Sequence, residues 1–169
     1  MNANTLVVCS PVAGTAIALN TVPDPVFADA MVGPGAAVDP QRGVPGGLIT
    51  VSPIAGTLVK LKPHAFVVVD ERGRGVLVHL GIDTVNLDGT GFDLLTAEGA
   101  ELDAGEPVVR WSPDEVAERG MSPICPVIAL DAAPAAVGQC ATGPVGAGGE
   151  LFHWFAPSAR PRGVADQPV

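Results

Sequence analysis

Short apolar runs, each ended by glycine, proline or a polar turn, are the main pattern along this chain of 169 residues. The runs at residues 65–69 and 76–80, for example, are rich in valine and flank the polar turn DERGRG. Runs of this length between turn residues are typical of β-strands and hairpins. Helix signals are confined to residues 25–33 and 112–120, each with an early proline and a final glycine. The pattern predicts an all-β domain with one or two very short helices.

One of these strand openings occurs twice. SPVAGTAIAL at residues 10–19 returns forty-two residues later as SPIAGTLVKL at residues 52–61. AGEPVVRW at residues 104–111 is echoed forty-three residues later by AGGELFHW at residues 147–154. Two pairs of similar strands at nearly one offset indicate a duplicated β unit. Two units are too few for a solenoid, so we expect an antiparallel β-sandwich or barrel-sandwich hybrid.

The folded domain is expected to cover residues 5–155. After it, residues 156–169 lack a periodic apolar pattern and are rich in proline and alanine, which predicts a disordered tail. The three cysteines, Cys9, Cys125 and Cys140, lack metal-ligand spacing. We interpret them as reduced, buried thiols.

Charge restricts the choice of partner. The net charge is −9, and the chain has only nine lysine and arginine residues. Binding to a phosphate backbone needs clustered basic residues, so nucleic acid is a poor candidate and an electropositive protein fits better. No stretch approaches the roughly 20 apolar residues of a membrane span. We therefore expect a cytoplasmic protein with no direct membrane insertion.

Two histidines belong to the most informative hairpin, His64 before its first run and His79 near the end of its second. The rings lie on one face if the numbers of paired residues sum to 143 or 145, whereas a sum of 144 puts them on opposite faces. Burial lowers the pKa of a histidine and leaves neutral, nucleophilic nitrogens. One imidazole can then attack a phosphorus centre while the other donates a hydrogen bond to phosphoryl oxygens.

Other interpretations of these residues stay open at this point. Each histidine also fits an ordinary half-buried strand residue, and a metal site is possible in principle but lacks further ligands at suitable spacing. Gly81 permits a turn whose carbonyl accepts from one ring nitrogen of His79. Asp83 fits either a turn former or a docking charge for a basic partner. A biotinyl or lipoyl carrier is disfavoured because neither Lys60 nor Lys62 has a neighbouring methionine.

Around these residues the sequence resembles the glucose-class enzyme IIA of the bacterial phosphoenolpyruvate-dependent sugar phosphotransferase system, from about Leu6 to Trp154. The most specific part is VHLGIDTV together with HAF fifteen residues earlier. The segments that carry the resemblance are VPDPVFADAMVGPG (22–35), SPIAGT (52–57), HAFVVVD (64–70), VLVHLGIDTVNLDGTGF (76–92) and EGAELDAGEPVVRW (98–111).

The resemblance implies a phosphotransferase component with a phosphohistidine intermediate and with no cofactor or metal. His79 would accept a phosphoryl group on Nε2 from HPr, the histidine-containing phosphocarrier protein. It would pass the group to a cysteine on the IIB domain of a glucose or N-acetylglucosamine permease. His64 would hydrogen-bond the phosphoryl group without carrying it. The residues at the family's docking positions are Val26, Phe27, Val32, Leu77 and Asp83.

An alternative function is a regulatory module that binds other proteins according to its phosphorylation state. Many relatives have a longer segment with a threonine just before HAF, where this chain has the shorter VKLKP, so that threonine has no obvious counterpart. His153 matches Arg110 in the second repeat pair and is expected to be an outward strand residue unconnected with catalysis.

Overall fold

Fourteen strands and two short helices build the part of the protein that the computed structural model describes, residues 5–155. The tail predicted over residues 156–169 lies outside the described residues. The strands are β1 (Thr5–Cys9), β2 (Gly14–Ala18), β3 (Gly35–Pro40), β4 (Leu48–Val51), β5 (Gly56–Lys62), β6 (Ala65–Val69), β7 (Gly75–His79), β8 (Phe92–Leu94), β9 (Glu101–Leu102), β10 (Pro107–Trp111), β11 (Cys125–Ala129), β12 (Val137–Gly138), β13 (Gly143–Val145) and β14 (Glu150–Phe155). The helices are α1 (Pro25–Ala28) and α2 (Pro113–Glu118), and short 3-10 turns cover Leu19–Thr21, Thr84–Leu87 and Pro134–Ala136.

All strand pairings in this part of the chain are antiparallel. One large sheet has eight strands in the order β13-β2-β3-β11-β7-β6-β5-β9. Two smaller sheets have the orders β1-β14-β12 and β4-β10-β8. The main hydrophobic cluster takes residues from all three sheets, including Val8, Phe66, Trp111 and Phe152. The prediction of an all-β antiparallel fold is confirmed.

The two sequence repeats form two halves with matching strand partners. Strands β1, β2 and β3 pair with β14, β13 and β11, while β4, β5 and β6 pair with β10, β9 and β7. The two SP openings meet between these halves, because the Cys9 N–H donates to the Pro53 carbonyl at 2.9 Å and the Val51 N–H donates to the Pro11 carbonyl at 2.8 Å. The duplication predicted from the repeats is therefore visible in the hydrogen bonding.

Each copy of the repeat also makes the same internal contacts. The buried hydroxyls of Ser10 and Ser52 each donate to the carbonyl two residues later, at 2.7 Å in both copies. The strands then begin at Gly14 and Gly56. A Cβ on either glycine would lie 2.2 or 2.3 Å from a carbonyl oxygen of the neighbouring strand. Only glycine allows the strands to approach this closely.

The second predicted helix has the caps that its sequence indicates. The Ser112 hydroxyl accepts a hydrogen bond from the Glu115 N–H at 3.1 Å, and Pro113 occupies the first helical position. Gly120 follows the last turn with φ +85°, a conformation that glycine adopts without strain.

The prediction that all three cysteines are buried is wrong for two of them. Cys125 is fully buried on β11, and burial raises the pKa of its thiol to about 12. Cys9 is half-buried at the end of β1. Cys140 is exposed because it lies in the connection between the two short strands β12 and β13.

A second, smaller apolar cluster covers part of the face of the large sheet that points away from the main core. We call it the outer cluster, and Val32 and Leu77 pack against it. Its residues come from strands β3 and β11, from the segment before α1, from α1 itself and from the segment after β7. Its buried members are Leu19, Val22, Phe27, Ala37, Ile82 and Ile128. The outer cluster brings α1 next to the end of β7, where His79 lies.

Candidate functional site

The histidine hairpin forms, but in a register that strand alternation alone would not favour. Ala65 on β6 lies opposite His79 on β7, so the numbers of paired residues sum to 144. His64 lies in the two-residue turn between β5 and β6, together with Pro63. Side chains in a turn do not follow strand alternation. The two rings therefore still meet, with centroids 5.2 Å apart and planes at 68°.

A backbone turn fixes the orientation and tautomer of the His79 ring. The Nδ1 atom lies 2.6 Å from the Gly81 carbonyl oxygen. Because a carbonyl only accepts hydrogen bonds, Nδ1 carries the hydrogen and Nε2 has a free lone pair. Gly81 has φ +85°, and a Cβ there would lie 2.7 Å from the Thr84 side chain. The turn expected from the sequence is confirmed, and its geometry requires glycine.

Burial keeps both histidines neutral near pH 7. It lowers the pKa of His79, although the Gly81 carbonyl and the charges of Asp24 and Asp83 oppose the shift. Burial also lowers the pKa of His64, and the nearby His79 and the charge of Lys62 lower it further. Two neutral imidazoles provide one free nucleophilic nitrogen on His79 and one N–H donor on His64.

Helix α1 supplies an aromatic wall to the site. Its N-cap is Asp24, whose carboxylate accepts from the Val26 N–H at 2.9 Å. The helix places the Phe27 ring 5.2 Å from the His79 ring, at an interplanar angle of 55°. Asp24 was not among the sequence-derived site residues. Its position directly before Pro25 is a signal for a helix N-cap, but that signal does not connect it with His79.

Helix α1 is shorter than its sequence pattern suggests. It ends at Ala28, whereas the pattern predicted a helical segment as far as Gly33. Gly33 has φ +148°, and a Cβ there would lie 2.2 Å from the Ala129 carbonyl oxygen. This glycine therefore allows the chain to pass close to β11 and does not cap the helix.

The five docking positions differ in their exposure. Phe27 is buried in the outer cluster, and Val32 and Leu77 are half-buried against it. Val26 is 42% exposed, and Asp83 is exposed with φ +64° just before the turn Thr84–Leu87. In the segments that follow α1 and β7, the most exposed apolar side chains are Met31, at 69%, and Val85, at 54%. The sequence did not indicate either of them.

A metal site and His153 were the other possibilities that the sequence raised. Within residues 5–155, no group of three or more His, Cys, Asp and Glu side chains is placed to hold a metal ion, so the metal interpretation gains no further ligand there. His153 lies on β14, with its Nε2 3.3 Å from the Glu150 carboxylate. Among the helices of the described residues, none combines the length and the hydropathy that crossing a membrane requires.

The fold and the site thus define an all-β protein that holds two neutral histidines beside an apolar sheet face. Over residues 6–134 the sequence matches the family described as phosphoenolpyruvate-dependent sugar phosphotransferase system, EIIA 1. The chain therefore belongs to this family. Both the resemblance noted in the sequence and the expected fold are confirmed.

Individual relatives agree with this assignment. Over 121 residues the chain is 44% identical to the N-acetylglucosamine-specific EIICBA component of Escherichia coli (strain K12), a match that covers 70% of this chain but only 18% of that protein. Over 125 residues it is 37% identical to the glucose-specific EIIA component of Staphylococcus aureus (strain COL), covering 73% of this chain and 72% of that one. The solved structure of glucose permease IIA from Mycoplasma capricolum superposes with a TM-score of 0.80 at 32% identity, covering 88% of this chain and 95% of that chain.

Proposed function

We propose that this protein is a cytoplasmic phosphocarrier of the sugar phosphotransferase system. His79 accepts a phosphoryl group on Nε2 from the phosphohistidine of HPr and passes it to a cysteine of a permease IIB domain. The observation that carries the proposal is the hydrogen bond from His79 Nδ1 to the Gly81 carbonyl at 2.6 Å. It leaves Nε2 as the unprotonated nitrogen of a ring packed against Phe27.

In the first transfer, the Nε2 lone pair forms a bond to phosphorus. The phosphorus–nitrogen bond to HPr breaks, and its electron pair returns to the HPr imidazole. Because Nδ1 keeps its hydrogen throughout, this step needs no proton transfer, and the Gly81 carbonyl stabilises the positive charge that develops on the ring. The protein contributes mainly positioning and electrostatics, as is usual in phosphoryl transfer.

In the second transfer, a thiolate of the IIB domain attacks the phosphorus atom. A sulfur–phosphorus bond forms, the bond to Nε2 breaks, and its electron pair returns to Nε2. His79 is then again neutral with its hydrogen on Nδ1. The same ring nitrogen therefore serves as nucleophile in one step and leaving group in the next.

His64 is proposed to stabilise the phosphoryl group without carrying it. Its ring lies 5.2 Å from that of His79, centroid to centroid. As a neutral imidazole it has one N–H donor, which can bond a phosphoryl oxygen at Nε2 of His79. A donor preorganised next to developing negative charge contributes more where apolar side chains limit the access of water, and the outer cluster provides such side chains beside His79.

The face around the histidines is proposed to dock both partners. Val26, Phe27, Val32 and Leu77 give it an apolar centre, and Asp83 adds an exposed acid. Apolar contacts at the centre of such a surface provide affinity. The net charge of −9 attracts basic docking residues and increases the rate of association.

The sugar is proposed from the names of relatives. One is described as N-acetylglucosamine-specific and others as glucose-specific. The EIICBA name of the first also includes a B component, which supports a IIB domain as the acceptor. We therefore propose that this chain serves a glucose or an N-acetylglucosamine permease.

The decisive experiment is phosphorylation of the purified chain by phosphoenolpyruvate, enzyme I and HPr, with acid-labile phosphate as the readout. We expect His79→Ala to abolish labelling and His64→Gln to accept phosphate but transfer it slowly to IIB. His153→Gln is the matched control and should behave like wild type. An unmodified His79 in the presence of fully phosphorylated HPr would overturn the proposal, and equal loss in both site variants would overturn the two roles.

A further inference from the structure

Lys62 is the last residue of β5 and belongs to the same row of paired residues across the sheet as His79. Lys62 lies opposite Ala65 on β6, and Ala65 lies opposite His79 on β7. Directly opposite residues of antiparallel strands project from the same face of the sheet. Since neighbouring strands are about 4.8 Å apart, the backbones of Lys62 and His79 are separated by roughly 10 Å. In this row, the side chain between them is only the methyl group of Ala65.

The Lys62 ammonium is available for an anion. Its side chain is exposed, and within residues 5–155 it makes no ion pair or side-chain hydrogen bond. The carboxylate of Glu98 lies near this strand end but accepts from the Leu61 backbone N–H, at 3.0 Å. The flexible four-carbon stem of lysine can direct its charge across a small neighbour such as alanine.

The charge of Lys62 already acts on His64, one of the two site histidines. It is one of the three causes that keep the pKa of His64 below its usual value. The charges that act on His79 itself are those of the carboxylates Asp24 and Asp83. A phosphoryl dianion on Nε2 would be repelled by these two acids. Lys62 is the cation in line with His79 that can offset that repulsion.

We propose that Lys62 is a phosphoryl-binding residue, which reaches across Ala65 and pairs with the oxygens of a phosphoryl group on His79. The inference rests on the proposed function of His79. It gives the tight turn between β5 and β6 a chemical consequence, because the two-residue connection places Lys62 opposite Ala65. By stabilising the loaded state, Lys62 shifts the transfer equilibrium with HPr toward phosphorylated His79.

Lys60 provides a matched control on the same strand and the same face. It lies opposite Val67, which in turn lies opposite Leu77. Its row is therefore the next row on the same face of the sheet, and it does not contain His79. Lys60 is exposed like Lys62, but it is not among the causes of the pKa shift of either histidine. Replacing it removes the same net charge without removing a cation from the His79 row.

The test is the equilibrium ratio of phosphorylated His79 to phosphorylated HPr, measured by phosphorus NMR in the full chain. We expect Lys62→Met to lower this ratio roughly two- to fivefold at low salt, the range for an exposed charge pair. The effect should shrink at high salt because ions screen exposed charges. Lys62→Arg should restore the ratio, and Lys60→Met should leave it near the wild-type value.

The outcomes separate this inference from the proposed function. An unchanged ratio in Lys62→Met, or an equal fall in Lys60→Met, would overturn the role of Lys62 while leaving the phosphocarrier intact. Failure of wild-type His79 to accept phosphate from HPr would instead overturn the proposed function. In that case, loading His79 chemically with phosphoramidate, and comparing the equilibrium extent of phosphorylation among the same variants, still decides the role of Lys62.

Discussion

Replacing Gly81 by alanine tests the backbone turn that orients His79. Gly81 has φ +85°, where a residue with a Cβ is strained. The added methyl would also lie 2.7 Å from Thr84 Cγ2 and 3.0 Å from the Ser122 carbonyl oxygen. Thr84 has little freedom to move, because it is buried and its hydroxyl donates to the Leu80 carbonyl at 2.8 Å. The substitution therefore combines a backbone cost with a steric cost.

The expected loss of unfolding free energy is the sum of these two effects. A left-handed conformation costs a residue with a side chain about 1–2 kcal/mol. Overpacking a buried site adds about 1–3 kcal/mol. We therefore expect Gly81→Ala to lower the unfolding free energy by about 2–5 kcal/mol. Gly120→Ala is the matched control, since Gly120 also has φ +85° but a Cβ there meets nothing within 4 Å; it should lose only about 1–2 kcal/mol.

Two measurements check this prediction. Urea unfolding gives the free energies of both variants, provided that the slope with denaturant stays unchanged. Nitrogen NMR of the imidazoles gives the tautomer of His79, which we expect to be protonated at Nδ1 in wild type and mixed in Gly81→Ala. Equal stability losses in the two glycine variants, with the His79 tautomer unchanged, would refute the reasoning.

Three further predictions follow from the same structure. Folding lowers the pKa values of both site histidines, so the unfolded chain binds more protons below about pH 6.5 and the unfolding free energy should fall as the pH drops through this range. Urea titrations at pH 7.5 and 5.5 should show a smaller fall in the unfolding free energy when both histidines are replaced by glutamine. An equal fall would contradict this origin. Ser10→Ala and Ser52→Ala should each lose about 1–2 kcal/mol of unfolding free energy, because the two repeats bury the same hydrogen bond; a loss confined to one copy would argue against equivalent roles. Val26→Asp should raise the KM for phospho-HPr about tenfold with little change in kcat, as expected for an apolar docking residue. Leu94→Asp is the control, because Leu94 is similarly exposed on β8, and it should change neither constant. Equal effects of the two variants would indicate a general charge effect.

Much of the site could be predicted because its signals are local. The HAF and VHLGIDTV segments identify His64 and His79 within a few residues each. Gly81 follows His79 closely enough for its turn to be expected from the sequence. Asp24 was missed because its influence on His79 arises from a segment more than fifty residues earlier. No local pattern connects those two positions.

The register shows the limit of pattern reasoning more clearly. Strand alternation predicted that the rings of His64 and His79 lie either on one face or on opposite faces of the sheet. It assumes that both residues are in strands, so it does not apply to a residue in a turn. In the structure, the pairing of Ala65 with His79 would separate the rings if His64 were in a strand. The two-residue turn with Pro63 frees His64 from that constraint. The contact of the rings therefore depends on the turn and not on the parity of the pairing.

The sequence by itself determined the strands, the short helices and the duplication, because turn residues and apolar periodicity act over a few neighbouring positions. Only the tertiary structure decided how the two copies combine. It pairs β3 with β11 and β6 with β7, so that one half is assembled from both ends of the described chain and the other half from its middle. The outer cluster then brings α1 against the end of β7. These arrangements bring together residues that are far apart in sequence. They depend on the burial of apolar surface, which stabilises a contact whatever the sequence separation of the residues that make it.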